Sequence, residues 1–181
     1  NLSNSSKNIM KNLNAKQKQW LITLHVAFSA IWFGTALSMI VIALMNQNTT
    51  NGDELHAINS IMQLFDDVVI IPSAFFSLLS GGLICWLTVW GFFKHYWVIA
   101  KWVATVTLIV TGSAWLGPWT NAMTAISAED RLQALQNPLY VFDQKAVLIG
   151  GIIQTSCLLF IIAISFVKPW GKRAAKTQTQ A

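Results

Sequence analysis

Long apolar stretches separated by short polar ones dominate this chain. The first, Trp20 to Met45, reads WLITLHVAFSAIWFGTALSMIVIALM and holds one ionisable side chain, His25. At the α-helical rise its roughly 26 residues reach about 39 Å, more than the ~30 Å hydrocarbon core of a bilayer. The pattern predicts a transmembrane helix over 20–45. Three further apolar runs predict spans over 68–93, 97–117 and 146–167.

The intervening segments are short. Residues 46–54, NQNTTNGDE, predict a polar turn. Leu55, Ile58, Met62 and Phe65 then recur at helical spacing, which predicts a short amphipathic helix outside the bilayer or leading into it. Asp66 and Asp67 mark the approach to span two, and Pro72 predicts a bent or broken first turn there. Ser80, Gly81 and Gly82 predict a tight helix crossing near the bilayer midplane. Lys94, His95 and Tyr96 read as a very short loop, which makes spans two and three antiparallel neighbours. Pro118 ends span three. Ser127 followed by Asp130 resembles a capping box before a short helix, Ala128–Gln136, which Asn137-Pro138 stops. Gly150, Gly151 and Gln154 lie early in span four. Residues 1–19 form a basic arm in which Leu2, Ile9, Met10 and Leu13 give a weak interfacial helix or no fixed structure. Residues 168–181 form a basic, frayed tail.

Composition narrows the class. The chain has 181 residues, 54% hydrophobic and 10% charged, against about 25% charged in a soluble domain. Such a chain cannot cover a water-facing surface. The expected fold is all-α: a polytopic membrane protein whose residues 20–167 form a four-helix transmembrane bundle. The nine Trp suit belts at the headgroup level. Nine of the twelve Lys/Arg lie in the arm, the Lys94 loop and the tail, whereas all seven acids lie on the other side with Arg131 and Lys145. The positive-inside rule then puts both termini in the cytoplasm. The net charge of +5 belongs to membrane flanks and does not point to nucleic acid. The first residue is Asn rather than Met, which predicts a processed or trimmed chain. The first apolar run is too long for a signal h-region and stays as a span. Cys85 and Cys157 sit inside apolar runs without metal spacing or a disulfide framework, as small buried hydrophobes do.

Polar groups inside the spans carry the candidate chemistry. On span one, His25, Ser29, Trp32 and Ala36 share a face. Ala30, Gly34 and Ser38 form a small-xxx-small stripe that permits close helix contact. On span three, Lys101, Thr105, Leu108, Gly112 and Trp115 share a face. His25 lies about 7 Å, and Lys101 about 6 Å, from the cytoplasmic ends of their helices, and His95 sits at the mouth. If spans one and three face each other, these groups converge. His25 then reads as a metal or haem ligand, with Lys101 holding a propionate or another anion. Ser29, Trp32 and Thr105, on the same two faces, complete the candidate cofactor site. The alternative is structural: His25 bonds a neighbouring Ser or Thr, and Lys101 snorkels to the headgroups. Joint ligation by His25 and His95 is disfavoured by a depth difference of roughly 10 Å. His56, near Asp53 and Glu54, reads as a solvated loop residue or a surface metal ligand. Met39, Met45, Met62 and Met123 make no Met-x-x-Met pattern for Cu(I). No catalytic Ser/His/Asp set, phosphate loop or dinucleotide fingerprint is present.

The segment LHVAFSAIWFGTAL, with His25, Trp32 and Gly34, resembles the first helix of several small bacterial membrane families. They are the copper-resistance D-like proteins, an uncharacterised family of predicted integral membrane proteins, and the J-type protoporphyrinogen oxidases. PSAFFSLLSGGLICWLTVWGFFKHYWVIAKWVATVTLIVTG is similar to their later helices, and the resemblance covers residues 20–118. The oxidase resemblance implies a b-type haem and a functional pair at His25 and Lys101. It also implies a Leu-Pro-Arg type segment after the Trp-Gly element, where this chain reads GTALSMIVIALM. The copper-resistance resemblance implies metal movement. Tryptophan-rich sensory proteins share the Trp content but have five spans and other motifs.

Three readings of function follow. The first is a b-type haem or porphyrin-binding protein of the bacterial inner membrane, redox-active in the cytoplasmic half of its bundle. The second is a non-enzymatic assembly partner or sensor, in a homo-oligomer or with another membrane protein. The third is a copper-handling protein. Whether the chain is an enzyme stays open.

Overall fold

The computed structural model describes residues 14–88, 91–93 and 95–167. The arm helix expected around Leu2–Leu13 and the tail 168–181 lie outside the described residues. Helix α1, Ala15–Asn46, begins five residues before Trp20 because Asn14 starts it. The Asn14 side chain accepts from the Lys16 N–H, and the Gln17 side chain accepts from the Asn14 N–H, a reciprocal cap.

The second span is longer than its apolar run. Helix α2, Gly52–Phe65, passes through a π turn, Asp66–Ile70, into α3, Ile71–Leu87. The third repeats the device. Helix α4, Tyr96–Thr111, passes through a π turn, Gly112–Leu116, into α5, Gly117–Asp130. A 3₁₀ helix, Arg131–Gln136, follows, and α6, Pro138–Val167, completes the chain. The four long runs 15–46, 52–87, 96–136 and 138–167 are each long and apolar enough to cross a membrane.

Each π turn precedes a proline. The Ile71 N–H bonds back to Asp66 O, and the Gly117 N–H to Gly112 O. Pro72 and Pro118 come next. A proline has no N–H and collides with the carbonyl four residues back, here Val68 or Ala114. Both carbonyls belong to widened turns, so the helices continue where a break at Pro72 and a stop at Pro118 were expected. The capping box expected at Ser127 is also absent, because Ser127 is buried in α5 and donates to Thr124 O. Helix α6 starts eight residues before Ala146, with Pro138 at its first position and Asn137 accepting from the Leu139 N–H. Helix α3 ends at Leu87 rather than Phe93. The Thr88 hydroxyl turns back onto Ile84 O, and Gly91 takes φ 60°, which a side chain resists. The connection to α4 is therefore longer than the three residues expected.

The runs alternate in direction. Helix α1 packs on α3 and α6, and α4 packs on α6, while contact between α3 and α4 is slight. Helices α1 and α4 stand diagonally, and among the described residues Trp32 and Ala36 from one share a core cluster with Leu108 from the other. The expected facing of spans one and three is thus not a helix–helix contact. Nor does the Ala30/Gly34/Ser38 stripe form one. All three residues are exposed, and a Cβ at Gly34 would meet nothing within 4 Å.

Polarity is distributed inside out. Outward positions include Val26, Phe75, Val103 and Ile153, whereas Asn46, Asn59, Ser77, Thr120 and Gln154 are buried. That suits a hydrocarbon solvent, in which polar side chains turn toward protein partners. The chain is an all-helical, multi-pass membrane protein with a four-helix bundle. At the end where α1 meets α2, Asn46 Nδ2 donates to Asn59 Oδ1 at 2.8 Å, and Asn59 Nδ2 donates to the Tyr140 hydroxyl at 3.0 Å. The Thr124 hydroxyl donates to Asn59 O. Leu55, Met62, Met123 and Ala134 pack around this network. Removing one member strands the others away from water. Tyr140→Phe is expected to cost about 1–2 kcal/mol and Asn59→Leu about 2–3 kcal/mol, read from unfolding of the detergent-solubilised protein; no loss in either would contradict the network.

Candidate functional site

His25 projects from α1 into its seam with α3. Its Nδ1 lies 3.0 Å from Ser77 O and 3.1 Å from Ser80 Oγ. A carbonyl only accepts, so Nδ1 carries the hydrogen and donates it. One turn on, the Ser29 hydroxyl donates to His25 O and pairs with Ser77 Oγ at 2.8 Å. Gly81 lets α3 approach: a Cβ there would stand 3.1 Å from His25 Cε1. Lys101 is half-buried on α4. Thr105 is half-buried one turn further along. His95 is buried at the start of α4, its ring 6.0 Å from that of Trp97. His56 lies close to Ser127 and Ser60.

Trp32, the fourth residue of the α1 face, belongs to a different place. It lines a cavity of about 370 Å³ bounded by all four spans. Two registers show how the cavity forms. The contacts of His25 with Gly81 and of Ser29 with Ser77 fix how α1 runs along α3, and the Asp66–Ile70 turn also packs on α1. On α6, Gln154 lies beside Gly112, and Gly150 beside Leu116. The two π turns therefore occupy one layer and flank the same space. The Asp66 carboxylate rests against Gly117, 3.4 Å from where a Cβ would be. Ala36, Ala43, Ala74, Gly112, Gly117 and Gly151 line the cavity and leave the volume that larger residues would fill.

The mouth has a direction. The exposed lining residues, Asp67, Ile71, Phe75, Ser113, Pro118 and Asn121, all belong to spans two and three. The cavity thus opens sideways where α3 and α4 barely touch. Two lining side chains also hold polar atoms buried without a hydrogen-bond partner, Trp32 Nε1 and Gln154 Oε1. Such atoms cost about 1–3 kcal/mol each.

The haem expectation divides between these two places. The hydrogen on Nδ1 leaves Nε2 as the acceptor nitrogen, as in a metal-ligating histidine. Yet the ring is wedged against the α3 backbone, and no histidine lines the cavity. The His25 imidazole and this cavity are therefore apart. Among the described residues no group of three His, Cys, Asp or Glu could hold a metal ion. Of the residues on the shared α1 face, His25 and Ser29 meet α3, whereas Trp32 meets the cavity. Sequence reasoning missed the roles of Asp66 and Gln154 as cavity walls. The available signal was a polar residue inside or beside an apolar run, six residues before a proline in the case of Asp66.

No family model matches the chain, and no curated protein or solved structure is significantly similar to it.

The two glycine environments give opposite expectations. Gly34→Ala gains helix propensity in open space and is expected to be neutral or stabilising by up to about 1 kcal/mol. Gly81→Leu drives a side chain into the His25 ring and is expected to destabilise by about 1–3 kcal/mol. Thermal unfolding in detergent measures both, and equal effects would contradict the seam.

Proposed function

We propose that the protein binds a small lipid-soluble molecule in the cavity between its four spans. It does so in a bacterial inner membrane, with both termini in the cytoplasm. Support for the orientation comes from the Lys/Arg asymmetry of the flanks. Support for binding comes from one observation above others: a lateral, mostly apolar cavity in which a few polar groups remain unmatched. Ligand sites usually combine those features at roughly 300–1,000 Å³. Sideways access suits a molecule that arrives dissolved in lipid rather than in water.

The test uses the full chain in detergent and radiolabelled triphenylphosphine oxide, a neutral amphiphile. Saturable binding is expected, weakened at least about tenfold, ~1.4 kcal/mol, by Gly112→Leu or Gly151→Leu. A Cβ at either glycine meets only ordinary contacts, so the larger side chain takes up cavity volume. Binding that ignores both substitutions would refute the cavity. The haem reading, with His25 as ligand and Lys101 beside a propionate, makes a different demand on the same preparation. It requires a Soret band lost in His25→Ala and kept in His95→Ala. The copper reading requires stoichiometric metal without that band.

A further inference from the structure

We infer that the cavity takes a lipophilic cation, held with its charge against Asp66 and its apolar body among the helices. This rests on the cavity reading above and names the class of ligand. The lining holds two carboxylates, Asp66 and Asp67, and no Lys, Arg or His. Among the described residues Asp66 has no ion-pair partner; the one ion pair there joins Arg131 to Asp53 on the surface. Asp66 is half-buried on its π turn, with its carboxylate against Gly117 of the facing span. A carboxylate so placed calls for a compensating charge.

The rest of the lining agrees. Gln154 is only 8% exposed, and its unpartnered atom is a carbonyl oxygen, an acceptor. It stands across the layer beside Gly112, which opens the π turn facing Asp66. Trp32 and Phe75 add aromatic rings to the wall, and a ring face attracts a cation. Trp32 Nε1 is a buried donor without a partner, and the Gln154 amide also brings its N–H donors to the wall beside Gly112. Two carboxylates, a carbonyl and two aromatic rings favour positive charge. An anion would meet like charge at the mouth. The apolar remainder, Met39, Ile40, Ile70, Leu108 and Leu116, suits a greasy body. The ligand class is an organic monocation whose charge is attached to, or surrounded by, apolar groups. It slips in from the bilayer between spans two and three, past Ile71 and Ser113.

The probes are tetraphenylphosphonium, a cation, and triphenylphosphine oxide, its neutral counterpart, on the full chain in detergent. Tetraphenylphosphonium is expected to bind more tightly. Asp66→Asn is expected to weaken the cation at least about tenfold and to leave the oxide within about twofold. Asp66→Glu, which keeps the charge, should restore most of the cation's affinity. Asp67, being exposed, should matter less, with a loss under about threefold in Asp67→Asn. Elution volume and helix content show whether each variant folds, and retained oxide binding is an internal control. Unchanged phosphonium binding in Asp66→Asn overturns the inference, as does an oxide that binds as tightly as the cation. If the oxide binds and Gly112→Leu abolishes it, the cavity stands even where the cation preference fails. If neither probe binds, both fall.

Discussion

Inside lipid every peptide group must find its hydrogen bond within the protein. Pro72 and Pro118 each remove one donor from a helix that has to stay continuous. The chain answers with a widened turn before each proline. Because spans two and three run antiparallel, the widened turns fall at one height and line the same cavity. Small residues on α1 and α6 face the same layer and do not fill it. The cavity is thus a consequence of backbone bonding as much as of side-chain size.

The layers on either side are closed by different means. Toward the α1–α2 connection, an amide–phenol network of Asn46, Asn59 and Tyr140 is wrapped by Leu55, Met62 and Met123. Toward the other end, His25 and three serines knit α1 to α3 across Gly81. Both closures use polar groups. In a membrane the helices gain little from burying apolar surface against one another, because lipid is equally apolar, and directional bonds specify the pairing. Bonds are left unmade in the open layer, at Trp32 and Gln154, and also outside it, at Thr49, Asp143 and Thr155.

Much of this was legible in the residues. Four apolar runs identify four spans, since length and low charge leave few other structures. The shared face of His25, Ser29, Trp32 and Ala36 follows from helical geometry alone, and the glycine pair at 81–82 does mark a close crossing. Helix ends were less legible. The Asn14 cap and the Pro138 start are local signals that hydropathy overrides. Pro118 reads as a stop because proline breaks most helices, and only the partner turn at Gly112 shows how this one continues. Neighbour relations were not legible at all. That α1 and α4 stand diagonally depends on packing across the whole bundle, as does the outward aim of Ala30, Gly34 and Ser38. Asp66 reads as a boundary residue until its place in the cavity wall, against Gly117, shows otherwise.

A π turn is in effect one residue added to an α-helix. At 3.6 residues per turn, one extra residue rotates everything beyond it by about 100°. The stretches before and after each widened turn are therefore out of phase. Leu55, Asn59 and Met62 are buried on α2, and Ala74, Ser77 and Ser80 on α3. On an uninterrupted helix these two sets would fall on one face, so the widened turn re-aims that face from α5, on which α2 packs, to α1, on which α3 packs. The two insertions let each long rod serve two differently oriented neighbourhoods without a break in its backbone.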